Sequence, residues 1–175
     1  MLFRSWIVWQ KPILELDGKW FTGFSRWVSK AVRRRMHVNS WTAWETVVEF
    51  MRFEKINDHP HPSAIRVSYS PPEKAIRAPH YTNPLLSVAQ EPSLVRLPDQ
   101  RLFCTMRTMN GCIWYTVSKD DGRTWCNPRP LLDRDHGLPL LELLCCCPIY
   151  EYEPGRYVLL YHNNRGHVEP QVTDK

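Results

Sequence analysis

Glycine is scarce, at 7 of 175 residues, and no apolar run reaches membrane-crossing length. The first ten residues, MLFRSWIVWQ, have neither the basic start and apolar run of a secretory leader nor its small-residue cleavage site. A cytoplasmic protein with no membrane partner is the expectation. Net charge is small as well: 23 basic residues against 18 acidic leave +5, scattered apart from Arg33, Arg34 and Arg35. An anionic small ligand or plain solubility accounts for that modest excess as well as nucleic acid does, and no nucleic-acid partner is expected. Spaced cysteine pairs are missing too. Of the six cysteines, Cys145, Cys146 and Cys147 are consecutive, and strand neighbours point to opposite faces, so a disulfide framework is not expected. His136, nine residues before Cys145, does not complete a zinc pattern, so neither metal nor other cofactor is expected.

What the chain does have is 43% apolar residues, enough for one sizeable core, with 8 Trp, 7 Tyr, 6 Phe and 15 Pro. Short apolar segments punctuated by turns predict an all-β domain. Three stretches share one pattern of strand, tight turn and longer strand: Lys11 to Trp27, Pro92 to Thr108 and Cys147 to Asn163. Their turns, Asp17-Gly18, Pro98-Asp99-Gln100 and Glu153-Pro154-Gly155, carry residues that pre-set turn dihedrals, so each stretch reads as a hairpin. The irregular spacing of these repeats excludes a solenoid and suits a propeller with variable loops. The middle unit continues through CIWYTVS (Cys112 to Ser118) and NPRPLL (Asn127 to Leu132), making four strands over 91–132. Strands are also expected at Thr46 to Ile56, in preference to a short helix, and at Ile65 to Ser70. The Pro-rich and His-rich stretches Asn57 to Ser63 and Pro71 to Pro84 read as linkers.

Between the third and fourth strands of the middle unit lies SKDDGRTW, Ser118 to Trp125. Asp120 can accept amides of its own turn, Gly122 can take a positive φ, and Trp125 can tuck its ring beneath. Those roles make the octet a turn rather than a catalytic site. Folding the hairpin about Asp99-Gln100 brings Glu91 and Arg107 to one sheet end, and the other hairpins bring Arg26 and then His162 and Asn163 to corresponding ends. These five form a candidate rim. Ordinary roles compete: a solvated charge for Arg107, a capping carboxylate for Glu91, an ion-pair partner for Arg26 and a surface hydrogen bond for His162. Trp41, Trp44 and the His37 to Trp41 stretch suit either a sugar platform or the core.

The octet matches the Asp-box, Ser/Thr-x-Asp-x-Gly-x-x-Trp, through Ser118, Asp120, Gly122 and Trp125, and EPSLVRLPDQRLFCTMRT resembles a blade opening of the sialidase-like propellers. The resemblance implies a sialidase-type six-bladed β-propeller, of which 175 residues supply three to four blades, as a single incomplete domain. It implies a glycoside hydrolase acting on terminal anionic sugars, with Arg107 matching one arginine of a carboxylate-gripping triad and Glu91 the partner of a tyrosine nucleophile. Arg26, His162 and Asn163 would line the substrate. Tyrosine suits an anionic sugar because a carboxylate nucleophile would meet the substrate's own charge. The family's first arginine and acid/base aspartate have no match near the start, and the third arginine and nucleophile belong to later blades. An incomplete propeller leaves strand edges through which copies can associate. The alternative is a noncatalytic propeller that binds glycans or proteins, with Arg107 recognising an anion.

Overall fold

Runs of β-branched and aromatic residues favour the pleated backbone, and the turn residues between them close it into hairpins. A computed structural model describes residues 6–7, 10–28, 45–142 and 145–163. Arg33 to Arg35, His37 to Trp41, Trp44 and the 165–175 segment lie outside the described residues. The described chain is all-β. Its strands are β1 (Trp6–Ile7), β2 (Ile13–Leu14), β3 (Trp20–Trp27), β4 (Thr46–Glu54), β5 (Arg66–Ser70), β6 (Pro79–His80), β7 (Asn83–Ser87), β8 (Gln90–Arg96), β9 (Leu102–Arg107), β10 (Trp114–Ser118), β11 (Arg129–Pro130), β12 (Ile149–Glu153) and β13 (Arg156–Leu159). No described helix is long and apolar enough to cross a membrane.

The strands form four antiparallel sheets, none closed on itself. One runs β1-β3-β4-β5, with β2 also on β3; a second runs β11-β10-β9-β8; β12-β13 and β6-β7 are two-stranded. All three expected hairpins are present, β2 with β3, β8 with β9 and β12 with β13. Thr46 to Glu54 is a strand, as expected. Two readings need correction. The stretch from Pro71 to Pro84 is not a plain linker: it holds β6 and the start of β7, and Ile76 exchanges both backbone bonds with Val48, at 3.0 and 2.9 Å. Ile76 and Ala78 are both buried, so two apolar residues among the prolines are enough to pin the segment to the core. NPRPLL yields only the two-residue β11, because Pro128 and Pro130 have no N–H to give the ladder.

The core joins the two large sheets through Phe21, Val48, Phe50, Ile76, Leu94, Leu102, Cys104 and Met106. Phe21 and Phe50 are fully buried and stack at 5.2 Å, each contributing about 1.5–3 kcal/mol of transfer free energy. Trp125 stacks on Phe50 at 4.5 Å, which ties the loop after β10 to the five-stranded sheet. Gly23 of β3 touches β8: a Cβ there would lie 2.6 Å from the Pro92 ring. Only a residue without a side chain allows the two sheets to meet at that point.

Candidate functional site

The register sets which residues share a sheet end. Arg96 and Ser118 flank Leu102, whereas Gln90 pairs with Arg107 and Trp114 with Met106. Five residues of rise therefore separate the Ser118 end from the Arg107 end, about 17 Å at strand geometry. The Asp-box-like octet sits at the first end and the Glu91 to Arg107 pair at the second.

At the first end the motif residues Ser118, Asp120, Gly122 and Trp125 are used by the turn. Ser118 Oγ accepts the Gly122 amide at 2.8 Å, Asp120 Oδ1 accepts the Thr124 amide at 2.8 Å, and Trp125 Nε1 donates to Gly122 O at 3.0 Å. Gly122 has φ +79°, and a Cβ there would lie 2.8 Å from the Phe21 ring. Slight burial raises the Asp120 carboxyl, but donation from Thr124 and Ser118 outweighs it and holds the group below its ordinary value. Asp121 reaches back to Arg96 at 2.8 Å. The turn reading of the octet stands.

The second end begins with a β-bulge. Between the pairs Gln90 to Arg107 and Ser93 to Thr105, β8 has two residues, Glu91 and Pro92, where β9 has only Met106. Pro92 has no donor to lose, which suits a bulge. Glu91 takes φ +48°, a left-handed value that costs a non-glycine residue about 1–2 kcal/mol. Its amide, turned out of the ladder, donates to Ser25 Oγ of β3 at 2.6 Å. The bulge thereby carries the Glu91 carboxylate to within 3.3 Å of Arg107 Nε, with both side chains nearly buried. Arg107 also donates to Gln90 Oε1. Burial pushes the Glu91 carboxyl above its ordinary value, and the neighbouring guanidinium draws it only part of the way back.

The chain returns to this end twice more. Gly111, in the β9 to β10 turn, accepts the Glu142 amide at 3.1 Å, and Thr105 of β9 donates to Cys147 O at 2.8 Å. Glu142 is fully buried, and its Oε2 accepts the His162 amide at 2.9 Å, just beyond β13. Cys145 lies close enough to feel Glu142, Arg107 and Glu91; burial first and then Glu142 push its thiol up. All six cysteines are free.

Of the five expected rim residues, the structure brings Glu91 and Arg107 into contact. His162 reaches the same end through Glu142, with Asn163 exposed beside it. Arg26 goes elsewhere. It makes a two-pronged pair with Glu49, at 2.8 and 2.6 Å, on the sheet face opposite Ser25. Strand alternation decides this: Ser25 faces β8, so its neighbour Arg26 faces away. Gln90, Glu142 and Cys145 were missed from sequence. No protein-family model matches the chain, and no curated protein does.

Proposed function

We propose that the chain forms three to four blades of a sialidase-type six-bladed propeller and that its Glu91 and Arg107 end receives a terminal anionic sugar. The fold part of this reading is supported by the β8 to β11 meander with its octet at the β10 to β11 connection. It is also supported by a cleft of about 330 Å³ whose walls come from β2 and β3, β8 and β12, among them Ile13, Trp20, Leu94 and Tyr150. Three hairpins that share one cleft suit blades around a common axis.

The observation that carries the functional part is the Glu91 to Arg107 contact, made by a strained bulge at the sheet end away from the turn octet. Backbone strain of this kind persists where a site over-determines it. In this reading the Arg107 guanidinium grips the sugar carboxylate, a task that planar paired donors perform well. Glu91, whose carboxyl burial pushes up, tunes a nucleophile, and His162 and Asn163 border the sugar. No cofactor takes part. Self-association belongs to the proposal too: β13 ends its sheet without a further strand among the described residues, and Tyr150, Tyr152, Val158 and Leu160 are exposed on one face of that hairpin.

Glycan binding without turnover is the second reading, and both readings meet one obstacle. Arg107 is only 4% exposed and already engages Glu91 and Gln90, so an incoming carboxylate must displace a bonded partner. The test is hydrolysis of a fluorogenic sialoside and of neutral glycosides, with glycan-array binding in parallel. It is run on this chain and on any longer reading frame that contains it. Turnover or binding of sialosides that falls at least tenfold in Arg107→Lys supports the proposal. The same sialoside binding without turnover selects the binding reading. Neither binding nor turnover of any anionic glycoside by either form sinks both.

A further inference from the structure

We propose that Glu142, Cys145 and His162 form a binding site for a borderline-soft divalent metal ion of the zinc type. One ligand atom from each of these side chains lies within 4.8 Å of the other two. A carboxylate oxygen, a thiolate sulfur and an imidazole nitrogen are the donors that zinc takes, whereas calcium and magnesium call for oxygen alone. Tetrahedral bonds of 2.0 to 2.3 Å need ligand atoms about 3.3–3.8 Å apart, so a closure of about 1 Å completes the site. Cys145 is part-exposed and His162 exposed, so both can make that adjustment while buried Glu142 stays fixed. The same exposure gives the ion its way in.

Backbone hydrogen bonds hold Glu142 and His162 together before any ion arrives. The Glu142 amide is tied to Gly111 O at 3.1 Å, and Leu160, two residues before His162, donates to Pro148 O at 3.0 Å. The His162 amide on Glu142 Oε2, at 2.9 Å, closes the loop between them. Charge also balances. Glu91 and Arg107 offset each other, leaving the Glu142 carboxylate and the Cys145 thiolate to neutralise a dication, with one thiol proton released to solvent on binding. Three protein ligands leave a fourth position open to water or a small anion, next to the Glu91 and Arg107 pair. This assignment shares His162 with the glycan reading but does not depend on it, because metal binding uses neither guanidinium nor sugar. In this site the imidazole partner is His162 rather than His136, and one of the three consecutive sulfurs takes part.

The experiment is a Co(II) titration of the chelator-treated full chain under reducing conditions, read by the thiolate-to-cobalt charge-transfer band in the near ultraviolet. A Zn(II) calorimetric titration runs beside it. A band that saturates at one equivalent, disappears in Cys145→Ser, survives in Cys146→Ser and weakens at least tenfold in affinity in the surface variant His162→Ala supports the site. Absence of both the band and zinc binding in the wild-type chain overturns it, as does a band that persists in Cys145→Ser. Sialoside hydrolysis is not read in any of these arms, so failure of the sugar proposal leaves the outcome unaffected.

Discussion

Asp120 and Glu91 are carboxylates at opposite ends of one four-stranded sheet, and their surroundings treat them in opposite ways. Asp120 sits near water with donors from Thr124 and Ser118 aimed at it, and its carboxyl is held low. Glu91 is only 9% exposed, its backbone is strained, its neighbour is a buried guanidinium, and its carboxyl is pushed up. A turn that exists to be stable satisfies its charges locally. A buried charge pair on a bulge meets a desolvation cost that its geometry only partly repays, which is a common condition of binding and catalytic sites. The motif-bearing end is thus the structural one, and the end without a compact motif is the candidate site.

The sharpest break of this contrast is Arg107→Leu, which leaves Glu91 buried without its counter-charge. A loss of about 3–5 kcal/mol near pH 7 is expected in urea unfolding. The loss should shrink in acid. Glu91's folded pKa lies above its unfolded value of 4.5, so its protonated form favours the fold. That contribution is full below 4.5 and is lost as pH rises through the folded value. Next is Gly122→Ala, at about 2–3 kcal/mol, from a strained φ and a Cβ pressed on Phe21. Gly111→Ala separates the two causes: its φ is +75° but nothing lies within 4 Å, so only the strain of about 1 kcal/mol should remain. Asp120→Ala should cost about 1–2 kcal/mol through the lost Thr124 bonds, with anion binding unchanged. Since Asp120 is held below 3.8, its contribution is present above that value and vanishes as pH falls through the folded pKa. Smallest is Arg26→Gln, at about 1 kcal/mol or less and fading with added salt, because its pair with Glu49 is part-exposed.

Hairpins and their turns were legible in the sequence because each is encoded locally, by strand formers on either side of Asp17-Gly18, Asp99-Gln100 or Pro154-Gly155. The meeting of Glu91 and Arg107 was legible for the same reason: counting from one bend gives the register to within the bulge. Arg26 misled because its orientation depends on which face of β3 meets β8, and its partner Glu49 belongs to a strand beyond an intervening stretch of chain. Composition hid the β6 to β7 hairpin, since prolines mark both loops and edge strands. Glu142 and Cys145 had no periodic signal at all. They meet His162 through the Cys112 to Leu141 bridge and the Leu160 to Pro148 bond, two long-range closures that no short window contains.

The two ends of the β8 to β11 sheet shift their carboxyls in opposite directions, Glu91 up and Asp120 down. Carbon-detected NMR titration of the side-chain carboxyls, with Glu91 and Asp120 assigned by Glu91→Gln and Asp120→Asn, measures this directly. Glu91 is expected to titrate above 4.5 and Asp120 below 3.8 in the folded chain. Glu91 titrating at or below its ordinary value would show a well-solvated or fully compensated carboxylate, and would contradict this opposition.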